Sequence, residues 1–144
     1  MKTGRRIAFD YGQVRIGVAV SDPSGLIASP LTTLQRDDVA LEENILSILR
    51  EYEPIYLVVG EPRHLAGTQS ASMHAAREFG EMLERVSGLP VHYVDERMST
   101  VSAARRLRES GKSAKESKGI IDAMAAVTIL ESAMARERIA GGLD

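Results

Sequence analysis

The sequence contains no cysteine, which excludes disulfides and thiolate metal sites and fits a reducing compartment. It also lacks any apolar run approaching the length of a membrane span. The beginning, Met1-Lys2-Thr3-Gly4-Arg5-Arg6, is basic, but the apolar run after it stops at Asp10, too soon for the core of a signal peptide. A cytoplasmic protein with no membrane partner is expected. Internal repeats, low-complexity stretches and linkers are missing as well. The 144 residues are therefore read as one domain, 1–144, large enough to bury a proper core. A strong charge of either sign is absent too, since the formal net charge is −2. That sum speaks against a nucleic-acid partner, but its distribution is uneven. Between Arg97 and Lys118 seven cations face only Glu109 and Glu116, a local net charge of +5. Such a segment is a candidate phosphate-facing patch, although a charge run by itself is more often a solvated surface.

The pattern of apolar residues gives the element order. Arg5 to Asp10, Val14 to Ser21 and Leu26 to Leu34 read as strands, joined by the short turns Tyr11-Gly12-Gln13 and Asp22-Pro23-Ser24-Gly25. Leu41, Ile45, Ile48, Leu49 and Tyr52 share a helical face, with Asp37 or Asp38 placed to cap that helix. Ile55 to Gly60 is apolar throughout, as in a central strand covered on both sides. A second helix follows, with Ala76, Phe79, Leu83 and Val86 inward. Then come a short strand Val91 to Val94, a helix from about Ser99 to Glu109, a basic loop around Gly111 to Lys115, and a long helix from about Ser117 to Arg138. A hairpin-rich first part followed by strand, helix, strand, helix implies an α/β fold with a mixed five-stranded sheet and helices packed on it.

Three acids stand in pointed settings. Asp10 and Glu96 both fall where strands end, and parallel strands put such ends on one rim, where α/β proteins assemble their sites. Asp122 lies within the last helix, aligned with Ala126, Ile129 and Ala133, so its carboxylate sits on or beside the face that meets the sheet. Crowded carboxylates need protonation or a cation. Mg²⁺ or Mn²⁺ meets that need with oxygen ligands, and two such ions can assist phosphodiester cleavage. Each acid also has an ordinary alternative: Asp10 in turn formation, Glu96 paired with Arg97 or Arg105, Asp122 paired with Lys118 four residues earlier.

The segments Asp10-Tyr11-Gly12 with Ile16-Gly17-Val18-Ala19, Val58-Val59-Gly60 before Pro62, Asp95-Glu96-Arg97-Met98-Ser99-Thr100, and Lys118-Gly119 with Asp122, Ala125 and Ala126 closely resemble the YqgF (RuvX) family. They do so in order and over essentially the whole chain. Members are described as ribonuclease H-like proteins, both as Holliday-junction-resolvase-like nucleases and as maturation nucleases for pre-16S ribosomal RNA. The resemblance implies a sheet of three antiparallel strands extended by two parallel ones, with the first strand central. It implies Asp10, Glu96 and Asp122 as catalytic, metal-binding carboxylates for Mg²⁺ or Mn²⁺. Arg15 in the first hairpin, and Arg97, Ser99, Thr100 and Lys118 beside the acids, are then candidates for holding nucleic acid. One departure is Glu61, where the family usually has leucine; it is a candidate fourth acid near Asp10, or an ordinary loop glutamate.

The function implied is a metal-dependent nuclease acting on structured nucleic acid, with precursor rRNA the leading substrate. A resolvase of branched DNA is the near alternative, and it calls for a homodimer, because two symmetric strands must be cut. A binding module that does not cut is a third reading. An ATPase of the actin or sugar-kinase type also opens on an Asp-x-Gly hairpin, but it clamps nucleotide between two such domains and this chain has room for one.

Overall fold

The computed structural model of the chain describes residues 2–61, 71–95 and 114–141, with the side chains of the last helix described from Asp122 onward. Strand alternation decides how its layers assemble. On β1 (Arg6–Tyr11), Ile7 and Phe9 point to one face of the sheet and Ala8 to the other. On β2 (Arg15–Ser21), Ile16 and Val18 join the first face and Ala19 the second. One face thus carries large side chains and the other carries small ones around the centre.

The large-residue face takes α1 (Leu41–Tyr52) and α2 (Ala71–Ser87), through Ile45, Leu49, Ala76, Phe79 and Leu83. Among the described residues, the small-residue face is covered by one long helix, α3 (Ala114–Ala140), whose Ala126, Ile129, Leu130 and Ala133 are fully buried. Alanine against alanine lets a helix approach the sheet closely.

β3 (Ala28–Gln35), β4 (Tyr56–Glu61) and β5 (Val91–Asp95) complete a five-stranded sheet in the order β3-β2-β1-β4-β5. The pairs β1–β2 and β2–β3 are antiparallel, while β1–β4 and β4–β5 are parallel. This is the mixed plan expected from the sequence, with β1 central. β4 is buried at all six positions, as a strand covered on both faces must be. The turn after β2 closes as its residues predict: Asp22 Oδ1 accepts from the N–H groups of Leu26 and Ile27. The third strand begins two residues later than the sequence suggested, because Leu26 and Ile27 belong to that turn and are exposed.

The expected cap of α1 is corrected. Ala40 occupies the N-cap position with no side-chain cap, while Asp38 closes the preceding turn by accepting from the Ala40 N–H at 2.9 Å. The expected helix from Ser99 to Glu109 and the basic loop from Gly111 lie outside the described residues, apart from the backbone of the first residues of α3.

At the amino end of β1 the sheet and α3 are locked by charge. Arg6, fully buried, donates from Nε to Glu137 Oε1 at 3.2 Å and from Nη2 to Oε2 at 2.9 Å. The Tyr56 hydroxyl donates to the same carboxylate at 2.9 Å. Burial tends to raise the Glu137 pKa, but the bonds from Arg6 and Tyr56 outweigh it and hold the carboxyl below its ordinary range. The Tyr56 phenol is pushed up, first by burial and then by its bond to Glu137, so it stays a neutral donor.

Candidate active site

The opposite end of β1 carries the candidate chemistry. Asp10 shares the parity of Ala8, so it points to the face covered by α3. Its partner across the antiparallel ladder is Gly17. In such pairs the Cα atoms lie roughly 5 Å apart. A Cβ on Gly17 would overlap the carbonyl of Asp122 and sit 2.8 Å from the Ala123 nitrogen. The backbone of α3 therefore rests directly on Gly17, and it does so at Asp122. Gly17 thus has Asp10 as its ladder partner on one side and the backbone of Asp122 resting on it on the other. Glycine inside a strand often marks such a close backbone approach, a signal present in the sequence but not read from it.

Arg15, two residues before Gly17 on the same face, completes this corner. Its Nε donates to Asp122 Oδ2 at 2.8 Å, with the two side chains 28% and 21% exposed. The sequence offered Lys118 as the natural partner of Asp122. The Lys118 side chain lies outside the described residues; the fold supplies Arg15, a partner 107 residues away, which helical spacing cannot reveal.

The other face of β1 fixes the hairpin without joining the site. Tyr11 stacks on Phe79 with ring centroids 4.5 Å apart, and the Arg36 guanidinium lies 4.4 Å over the Tyr11 ring. Arg36 also donates to the Gly12 carbonyl at 3.3 Å. The end of β1 is thereby held from both sides of the sheet.

Glu61 proves neither a loop residue nor a neighbour of Asp10. It is the last residue of β4, 1% exposed, and shares the parity of Leu57 and Val59, which face α1 and α2. There it pairs with Arg77 Nη2 at 2.7 Å, and Arg77 in turn lies 3.9 Å over the Tyr93 ring. The sheet stands between this carboxylate and Asp10. Glu61→Leu is accordingly expected to leave Mn²⁺ affinity unchanged in calorimetric titration; a severalfold loss would place the carboxylate in the metal site after all. His92 packs edge-on against Tyr56 on the α3 side.

Glu96, Arg97, Ser99 and Thr100 lie outside the described residues, as does the side chain of Lys118. Among the described residues no group of three histidine or acidic side chains is arranged for a metal. No helix of the described residues is long and apolar enough to cross a membrane.

Residues 4–136 match the family described as "RuvX: Holliday junction resolvase". The chain belongs to the RuvX family. A Streptomyces coelicolor relative is 43% identical over 143 residues, covering 98% of this chain and 86% of its own. One from Rhodococcus erythropolis is 46% identical over 134 residues, covering 89% and 76%. Both carry the name "Putative pre-16S rRNA nuclease". Among solved structures, this RuvX chain is similar to Thermus thermophilus RuvC in complex with a Holliday junction substrate. The TM-score is 0.59 at 17% identity, covering 95% of this chain and 96% of that one. A likeness at that identity establishes the ribonuclease H-like fold expected from the sequence.

Proposed function

We propose that this RuvX protein is a divalent-metal-dependent nuclease, a single domain that hydrolyses phosphodiester bonds at the 5′ end of pre-16S ribosomal RNA in the cytoplasm. The observation that supports the reading is that the backbone of Asp122 rests on Gly17, the ladder partner of Asp10, at the carboxyl end of the central strand. The names of its relatives supply the substrate.

Two part-exposed carboxylates on one corner of the sheet are hard oxygen donors, which fits Mg²⁺ or Mn²⁺ and not a soft metal. A bound divalent ion supplies water activation and charge neutralisation at the leaving oxygen. The chain's part is to hold it with Asp10 and Asp122, with Glu96 completing the ligand set. Arg15, Arg97, Ser99, Thr100 and Lys118 grip the phosphates on either side of the cut.

A second reading keeps the chemistry and changes the substrate: resolution of four-way DNA by a homodimer. The family's description and the fold shared with RuvC favour it.

The test is cleavage of a labelled precursor-rRNA fragment and of a four-way DNA junction, with Mg²⁺ or Mn²⁺, by wild type and Asp10→Asn. Metal-dependent cutting of the RNA is expected, with a loss on the order of 10³-fold in Asp10→Asn, the scale of one preorganised electrostatic contact to a transition state. Cutting of the junction alone would move the assignment to the resolvase. Full cleavage by a folded Asp10→Asn would remove Asp10 from the site, and tight salt-sensitive binding without cutting would identify a binding module.

A further inference from the structure

We infer that Arg15 is the place-holding cation of this site: it neutralises Asp122 while no metal is bound, and it transfers to a phosphate of the nucleic acid when the metal arrives. The inference rests on the reading of Asp10 and Asp122 as metal ligands, and adds to it an exchange in which one cation displaces another.

Among the described residues, two arginine–carboxylate pairs join the sheet to α3, and they are built differently. At the amino end of β1, Arg6 grips Glu137 with two nitrogens, Tyr56 binds the same carboxylate, and the side chains are 0% and 6% exposed. That pair is closed, and nothing can replace either member without unfolding the region. At the carboxyl end the arrangement is the reverse. Arg15 meets Asp122 through Nε at 2.8 Å, and both side chains are part-exposed. Among the described residues its terminal nitrogens make no bond to Asp122, so the planar fork that suits a phosphate is not spent on that carboxylate. The pair is open to solvent and held by one contact, which is what an exchangeable pair requires.

Position adds to this. Arg15 and Gly17 share a face of β2, and Asp122 rests on Gly17, whose ladder partner is Asp10. A cation entering between Asp10 and Asp122 must therefore enter beside the guanidinium. Two positive charges on one carboxylate repel, so metal binding and the Arg15–Asp122 bond oppose each other. By linkage, whatever loosens that bond tightens metal binding. The guanidinium released this way is already at the rim where a phosphate would lie, so metal loading readies the site for its substrate.

Calorimetric titration of Mn²⁺ into wild type, Arg15→Gln, Arg15→Lys and Asp10→Asn decides the matter without reference to cleavage, each variant first shown folded by its circular dichroism. Arg15→Gln is expected to bind Mn²⁺ about three- to fivefold tighter than wild type, the scale of a part-exposed ion pair. Arg15→Lys, which keeps the charge but loses the planar Nε contact, should fall between them and carries the test if Arg15→Gln does not fold. Asp10→Asn should bind many-fold more weakly, which identifies the site being titrated. If Asp10→Asn weakens Mn²⁺ binding while both Arg15 variants bind as wild type or more weakly, the exchange is wrong and Arg15 is a prop that positions Asp122. If Asp10→Asn binds Mn²⁺ as wild type does, the metal reading itself fails and takes the exchange with it.

Discussion

Gly17→Ala is expected to destabilise the protein by about 3 kcal/mol, the upper part of the range for overpacking, and to separate the two acids at the same time. The reason is the nature of the neighbour. The added methyl meets the Asp122 carbonyl and the Ala123 nitrogen, both backbone, which no rotamer change can move. The helix must lift from the sheet, carrying Asp122 away from Asp10 by a distance on the order of 1 Å, enough to cost about a hundredfold in a positioned reaction. Urea denaturation measures the first effect, and the rate of metal-dependent cleavage the second. Gly80→Ala is the matched control: its methyl would meet the ring and hydroxyl of Tyr93, a side chain that can shift, so it should cost less. Wild-type stability in Gly17→Ala would show that α3 does not rest on β2 at this point.

Glu137→Ala should be as damaging at the other end of the helix. It leaves the Arg6 guanidinium, 0% exposed, without its carboxylate, and breaking a buried pair in this way costs about 3–5 kcal/mol. The same pair makes stability depend on pH. The folded Glu137 pKa lies below its ordinary value of 4.5, because the bonds from Arg6 and Tyr56 outweigh the effect of burial. The folded state therefore binds this proton less readily than the unfolded chain does. Its contribution is complete above the unfolded value and is lost as the pH falls through 4.5 and on through the lowered folded value. Glu137→Gln, which keeps the shape but not the charge, should show a shallower loss of stability in acid than wild type. Parallel acid profiles for the two, or a cost below about 1 kcal/mol for Glu137→Ala, would mean that the pair is not a structural lock.

The sequence made Arg6 hard to interpret. It stands in a basic stretch, Lys2 to Arg6, at the start of the first strand, and its partner is 131 residues away. Only the packing of α3 across the sheet shows that this arginine is interior. Glu61 misled for a related reason. Counting along the chain places it close to the end of β1, but closeness in register says nothing about which face a side chain takes. The parity of β4 sends it toward α2 and Arg77, with the sheet between it and Asp10.

What the sequence determined by itself was everything governed by short-range periodicity. Alternating and continuous apolar runs gave five strands in order, turn residues gave the two hairpins, and helical spacing put Asp122 on the packed face of the last helix. Those patterns are local, because strand and helix geometry repeat within a few residues. The tertiary structure alone decided which charges meet. Arg15 with Asp122, Arg6 with Glu137 and Glu61 with Arg77 each join separate elements. Electrostatic pairing acts through space, so it is fixed only once the small-residue face of the sheet has drawn α3 down onto Gly17.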